Sequence, residues 1–273
     1  MKRIKARDSV SIFGEYKGFH PHLLQMAWID LKKEYSGTVF DWIWSVLRPA
    51  LYLAVYWATL KYGFRVNSMA GEGISLFAWL AAGLIAWFYQ SDAISASTNS
   101  IRKYRYLITK MKYPASAIPF FVNLAHLFTH IGLAVIVMIY LAVAGYLNWT
   151  WIQIPVLMVM MYVALCIWGM FAAPLAAVSK DFMQVVKSVM RVMFWFSGVI
   201  WNVREIDIEW LRVLLKANPI TFFIESYRDA LVYHKWVWED MRGLLIFVFV
   251  MMVLLVLSMR TYKRTRKEVA DAL

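Results

Sequence analysis

Lys187 and Arg191 stand four residues apart inside the apolar run FMQVVKSVMRVMFWF, with Gln184 and Ser188 at spacings that share their helical face. Counted from Phe182 at about 1.5 Å per residue, Lys187 lies ~7.5 Å and Arg191 ~13.5 Å along such a helix. Cations held in apolar surroundings face a bundle interior or a wet path and find a counter-charge there. Two roles compete: meeting an anionic group in a path across the bilayer, or a structural pair with a carboxylate such as Asp92. Arg48, just before Pro49, either reaches the headgroup layer with its long side chain or meets a phosphate at a gate. His126 and His130, beside Asn123, are predicted to bond between helices, because two imidazoles with no carboxylate near in sequence fall short of a metal set. No metal and no cofactor is expected in this chain. It contains no G-x-x-x-x-G-K-[ST] loop, no H-E-x-x-H and no G-x-S-x-G, and its carboxylates are scattered. No catalytic site is therefore expected, and energy for uphill work must come from a partner.

The elements that carry these residues follow from composition. Of 273 residues 62% are apolar, 17% aromatic and 17% charged, which indicates an all-α polytopic membrane protein. Six spans are predicted, roughly Trp44 to Phe64, Ile74 to Ser95, Ala117 to Tyr146, Ile154 to Val178, Phe182 to Ile200 and Met241 to Met259. Trp149 and Trp151 fit an interfacial aromatic belt. The first 48 residues hold eight Lys or Arg, the connection 99–114 five and the tail from Arg260 five, while 145–151 holds none, so both termini are expected in the cytoplasm. The net charge of +12 is then mainly a topology signal, with anionic lipid headgroups or an acidic protein surface as neighbours and no nucleic acid. MKRIKARD leads into no apolar core with a small-residue cleavage site, so the first span is expected to act as the targeting signal. Cys166, the single cysteine, has no intrachain partner. Without repeats or linkers, one domain over 1–273 is expected.

Three stretches are amphipathic rather than spanning. In PHLLQMAWIDLKKEY, Leu24, Ala27, Trp28, Leu31 and Tyr35 recur at helical spacing, which predicts an interfacial helix over 20–36. In NSIRKYRYLITKMKYP, Ile101, Tyr104, Leu107 or Ile108, and Met111 form a ridge among Arg102, Lys103, Arg105, Lys110 and Lys112, suited to docking in a groove of another protein. Residues 201–238 read as two short helices. Asp207 is the expected cap of the first, with Glu209 in its first turn and Lys216 at its end. Asn218 is the expected cap of the second, with Pro219 at its first position. The second carries Phe222, Phe223 and Tyr227 beside Glu225, Arg228 and Asp229, which suggests a re-entrant pair covered by protein, because bare charges are not tolerated against lipid.

Several segments then carry a resemblance. VYWATLKYGFRVNS, MKYPASAIP, VSKD, RVMFWFSGVIW and above all NPITFFIESYRDALVYHKWVWED resemble the membrane subunit of type 2 ATP-binding-cassette exporters of polysaccharides and polyol phosphates. The NP followed by ESYR is the broad family feature; the longer string looks like the teichoic acid permeases of Gram-positive bacteria. The likeness extends over about residues 10 to 265.

The resemblance implies the type 2 exporter fold, and a homodimer in a bacterial plasma membrane with two cytoplasmic ATPase subunits that bind ATP and Mg²⁺. Together they would flip teichoic acid linked to undecaprenyl diphosphate to the outer leaflet. It also implies that 20–36 is the interfacial helix and that 99–114 includes the coupling helix, with Ile101, Arg102, Tyr104, Arg105, Leu107 and Lys110 facing the ATPase. On this reading Arg48, Lys187, Arg191, Trp195, Trp201 and Tyr227 line the substrate path. Asn218, Pro219, Glu225 and Arg228 belong to a re-entrant gate. The alternatives are export of another lipid-linked polysaccharide (O-antigen or capsule), a secondary carrier or channel, and a membrane transferase, for which the paired carboxylates are missing.

Overall fold

The computed structural model describes residues 20–35, 43–68, 73–111 and 113–272, all helical or irregular with no strand among them. The helices are α1 (His20–Tyr35), α2 (Trp44–Ala58), α3 (Leu76–Lys103), α4 (Arg105–Met111), α5 (Ile118–Val143), α6 (Ile154–Val178), α7 (Lys180–Phe196), α8 (Glu209–Lys216), α9 (Pro219–Arg228) and α10 (Met241–Ala272). Lys112 and Met1 to Asp8 lie outside the described residues.

α3 is the axis of the bundle. Ala78, Ala81, Ala82, Gly83 and Ala86 keep its surface small, so α2, α5, α6, α7 and α9 all pack against it and most of its length is buried. Its Thr98 hydroxyl donates to the Ile94 carbonyl at 2.6 Å and Ser100 to Ser97 at 2.6 Å, so polar residues continue the helix without unpaired groups. The second predicted span therefore runs on to Lys103 and takes in the start of the expected 99–114 connection. Gly169 of α6 marks a second close crossing, where a Cβ would lie 2.6 Å from Pro119 Cβ and 3.1 Å from Ser97 Cβ.

Three helical runs are long and apolar enough to cross a membrane among the described residues: Ala115–Val143, Trp149–Val178 and Val237–Thr265. They show their apolar side chains outward, as with Val143 at 86% and Phe249 at 69% exposure, which suits lipid as the surrounding solvent. The predicted fifth span is shorter than expected. α7 stops at Phe196 because Gly198 takes a left-handed φ of +68°, and a Cβ there would strike Val203 Cγ2 at 2.3 Å. Trp151, expected in an interfacial belt, is instead buried at 8% exposure, while Trp149 stands out at 85%.

The two ends of the bundle differ. One carries α1 and α4; the other carries α8 and the 145–153 connection, and the 28 residues of α3 separate them by about 42 Å.

Candidate functional site

Arg228 is wholly buried, and everything around it is arranged for its guanidinium. Asn218 starts its helix as expected: the side-chain oxygen accepts from Ile220 N at 3.0 Å, and Nδ2 donates to Ser197 Oγ at 3.0 Å. From α9 the Arg228 fork donates to the Gly198 carbonyl at 2.7 Å, the Val199 carbonyl at 2.6 Å and Glu225 Oε1 at 2.9 Å. Its Cζ lies 3.4 Å from the centroid of the Trp79 ring on α3. Gly83 makes room for it, since a Cβ at that position would be 2.6 Å from Nη2. One cation thus joins α9, α3 and the turn after α7 (197–202). The turn that shortens α7 is what aims the two carbonyls at it.

A second arginine extends the network. Arg204 donates to Glu225 Oε2 at 2.8 Å and to Asp229 Oδ1 at 2.5 Å, and lies over the Tyr233 ring at 4.5 Å. Burial works against its charge, but the Glu225 and Asp229 carboxylates outweigh it and raise its pKa above the ordinary value. Sequence reading named Glu225 and Arg228 but missed Arg204, which is remote in sequence and unremarkable in its own segment. The expected capping role of Asp207 is not realised: α8 begins at Glu209 with Ile208 at the cap position and no side-chain cap. Lys216 does end the helix, and its ammonium donates to Asp240 Oδ2 at 2.8 Å. Between α9 and the lead-in to α10 these groups leave a cleft of about 350 Å³.

The expected path residues do not converge. Tyr227 is 0% exposed and bonds His130 Nε2 at 2.7 Å, so within the chain it is a core residue. This is the bundle hydrogen bonding expected, realised at His130; His126 lines a cavity instead. No group of three metal-ligating side chains occurs among the described residues. Lys187, Arg191 and Trp195 lie instead on the outward side of α7, where only Val186 and Met190 are buried. Arg191 Nη2 donates to Ser188 Oγ at 3.2 Å, and Trp201 folds back to donate to the Trp195 carbonyl at 2.7 Å. Asp92, considered as a partner for Lys187 or Arg191, is instead paired with Arg48 at 2.6 Å. That pair lines a cavity of about 260 Å³ between α2, α3 and α5, together with Tyr89, His126 and His130. Asp92 projects from α3 and pairs with Arg48 of α2, while the Arg48 side chain stays 58% exposed.

The expected docking ridge is turned over. Ile101, Tyr104 and Leu107 are buried, Tyr104 and Leu107 in a cluster with Ala27 and Phe121, because the helix breaks at Tyr104 (φ −108°, ψ 27°) and α4 folds back on the bundle. Arg102 donates to the Ala177 carbonyl at 3.3 Å. What α4 presents outward is Arg105, Tyr106, Lys110 and Met111. α1 is joined here by Asp30, 2% exposed, which accepts from Lys103 Nζ at 2.7 Å and from the Tyr104 hydroxyl. Of the expected apolar stripe on α1, Ala27 and Leu31 pack inward while Leu24 and Trp28 stay exposed; the side chain of Tyr35 lies outside the described residues. Asp30 was missed because a lone carboxylate in an amphipathic helix reads as solvated.

Comparison with known proteins follows the same outline. A family profile described as ABC-2 type transporter matches residues 22–232. An O-antigen export system permease protein of Myxococcus xanthus is 23% identical over 261 residues, covering 95% of this chain and 96% of its own. An O-antigen export system permease protein of Klebsiella pneumoniae is 23% identical over 203 residues, covering 73% of this chain and 76% of its own.

Proposed function

This chain belongs to the ABC-2 type transporter family, and on that premise we propose that it is the membrane permease of an ATP-driven exporter of a lipid-linked polysaccharide. The observation that carries the reading is agreement over 95% of the chain with one relative, and over 73% with another, both named for O-antigen export. The chain has no phosphate-binding loop of its own, so ATP and Mg²⁺ belong to a separate ATPase subunit. The end bearing α1 and α4 is the docking face. Asp30 ties the interfacial helix to the α3–α4 joint, so a push on α4 is transmitted to α3, which touches most of the bundle.

The exposed face of α7 supports assembly as a homodimer. Gln184, Lys187, Ser188 and Arg191 are poorly suited to hydrocarbon, and a second copy of α7 facing a shared wet path would cover them. Lys187 and Arg191 then meet the diphosphate of the lipid carrier on its way from the inner to the outer leaflet. α8 and α9 form a re-entrant pair on the outer side, held shut or open as a unit by Arg228.

Among polymers, the relatives named above favour O-antigen-type polysaccharide over the teichoic acid suggested by the segment 218–240. Teichoic acid stays as the second reading on the strength of that segment alone. The test is to deplete the chain in its native cell and follow the polymer. Lipid-linked polysaccharide accumulating inside, with loss of the surface polymer and recovery of two copies of this chain with two ATPases in native mass measurements, is the expected result. Undiminished surface polysaccharide and teichoic acid after depletion would sink the exporter reading.

A further inference from the structure

We propose that the cleft between α9 and residues 235–243 binds uncharged sugar units of the exported polymer as they leave the permease. The identity of the polymer rests on the exporter reading; the chemistry of the site is argued from its walls.

Its volume of about 350 Å³ falls at the lower end of the range of ligand pockets, about 300–1,000 Å³. Its charges are balanced. Arg204, Lys216 and Lys235 face Glu225, Asp229, Glu239 and Asp240, and Arg228 behind Glu225 supplies the remaining positive charge. A polyanion gains little net attraction from such a lining and meets four carboxylates. A divalent cation is equally disfavoured, because Glu225, Asp229 and Asp240 are already held by Arg204, Arg228 and Lys216.

A neutral polyhydroxylated chain fits better. Each paired carboxylate keeps lone pairs beyond those its cation occupies, and can accept from sugar hydroxyls. Thr221 is also one of the residues around the cleft, and its buried hydroxyl finds no partner among the described residues. Such a group is normally satisfied in a folded protein, so a ligand hydroxyl is a natural complement. Trp236 supplies an aromatic wall, and its plane is fixed by stacking on Trp238 at 4.5 Å and 12°. Sugar rings present apolar C–H faces that pack on such surfaces.

The wall is preformed rather than loose. Gln153 donates to the Lys235 carbonyl at 2.8 Å and accepts from Val237 N at 2.9 Å. His234 turns the chain with a left-handed φ of 57°, and Lys235 N then donates to the Asp229 carbonyl at 2.8 Å. A site held on three sides before the ligand arrives loses less ordering entropy on binding.

The experiment is photocrosslinking in cells that export their native polymer. The photoreactive variant Lys235→p-benzoylphenylalanine probes the cleft. Trp149→p-benzoylphenylalanine, at the same end of the bundle and 85% exposed, is the control outside it. A carbohydrate-positive, phosphate-poor adduct is expected at 235 and absent at 149. Adding Trp236→Ala and Thr221→Val should lower its yield about tenfold, as expected for a loss near 1.4 kcal/mol in binding. An adduct with phosphate in every repeat overturns the charge argument while leaving the exporter reading intact. No adduct at 235 in cells with normal surface polymer overturns the site. Failure of the exporter reading is read separately, as surface polymer that persists after depletion of the chain.

Discussion

Gly83→Ala is a single added methyl whose sign depends on Arg228. In an exposed helix the change from glycine stabilises by roughly 1 kcal/mol. In α3 the new Cβ would stand 2.6 Å from Nη2 and 2.8 Å from Cζ and Nε of Arg228. The guanidinium has no free direction of retreat, since Trp79 stacks against it and Gly198, Val199 and Glu225 hold its nitrogens. Relief therefore breaks charge-assisted bonds, each about 1.5–3 kcal/mol. Losing two of them against the helical gain leaves a net destabilisation of about 2–5 kcal/mol. At roughly 2–4 °C per kcal/mol for chains near this size, the melting temperature in detergent falls by about 4–20 °C. Arg228→Lys alone also destabilises, because a lysine cannot reproduce the fork. In that background, however, Gly83→Ala becomes neutral or stabilising by up to about 1 kcal/mol. The assay is a double-mutant cycle by thermal unfolding of the detergent-purified protein, followed by size-exclusion of the surviving fraction. If the two substitutions add, or if Gly83→Ala alone leaves the melting temperature unchanged, the proposed role of Arg228 as the tie between α9, α3 and the 197–202 turn is wrong.

Other consequences can be checked alongside it. Gly169→Ala should destabilise by about 1–3 kcal/mol by overpacking, because the rigid ring of Pro119 faces the new Cβ; unchanged thermal unfolding would refute the crossing. Asp30→Ala removes the buried carboxylate that accepts from Lys103 and Tyr104, for a loss of about 1–3 kcal/mol; the complex with the ATPase should assemble, yet ATP hydrolysis should no longer track transport. Cysteines at Tyr106 or Met111 should crosslink to the ATPase whereas one at Leu107 should not, and the reverse pattern would restore the ridge read from sequence. Lys187→Ala with Arg191→Ala should leave insertion and assembly intact and lower polymer export at least about tenfold, measured as surface polysaccharide.

Much of this protein was legible without coordinates. Apolar runs such as 118–143 and 154–178 must be helices in lipid because no other local structure satisfies the backbone there. Asn218 and Pro219 announced α9 through capping chemistry that acts over two or three residues. The absence of a phosphate loop was equally plain. What could not be read were outcomes of direction and partnership. Helical periodicity placed Ile101, Tyr104 and Leu107 on one face, but only the break at Tyr104 decided that the face turns inward. Asp92 looked available to Lys187 or Arg191 until packing set it opposite Arg48. Arg204 carries no local pattern distinguishing a buried cation from a solvated one, and the aromatic neighbours of Arg228 indicated cover without indicating its partners. Their roles come from groups brought together across as many as 149 positions, as between Arg228 and Trp79. Sequence determined where helices form, because hydrogen bonding and hydrophobicity along the chain are local. Tertiary structure decided which polar groups are buried and with whom, because desolvation and pairing depend on neighbours that only the folded chain supplies.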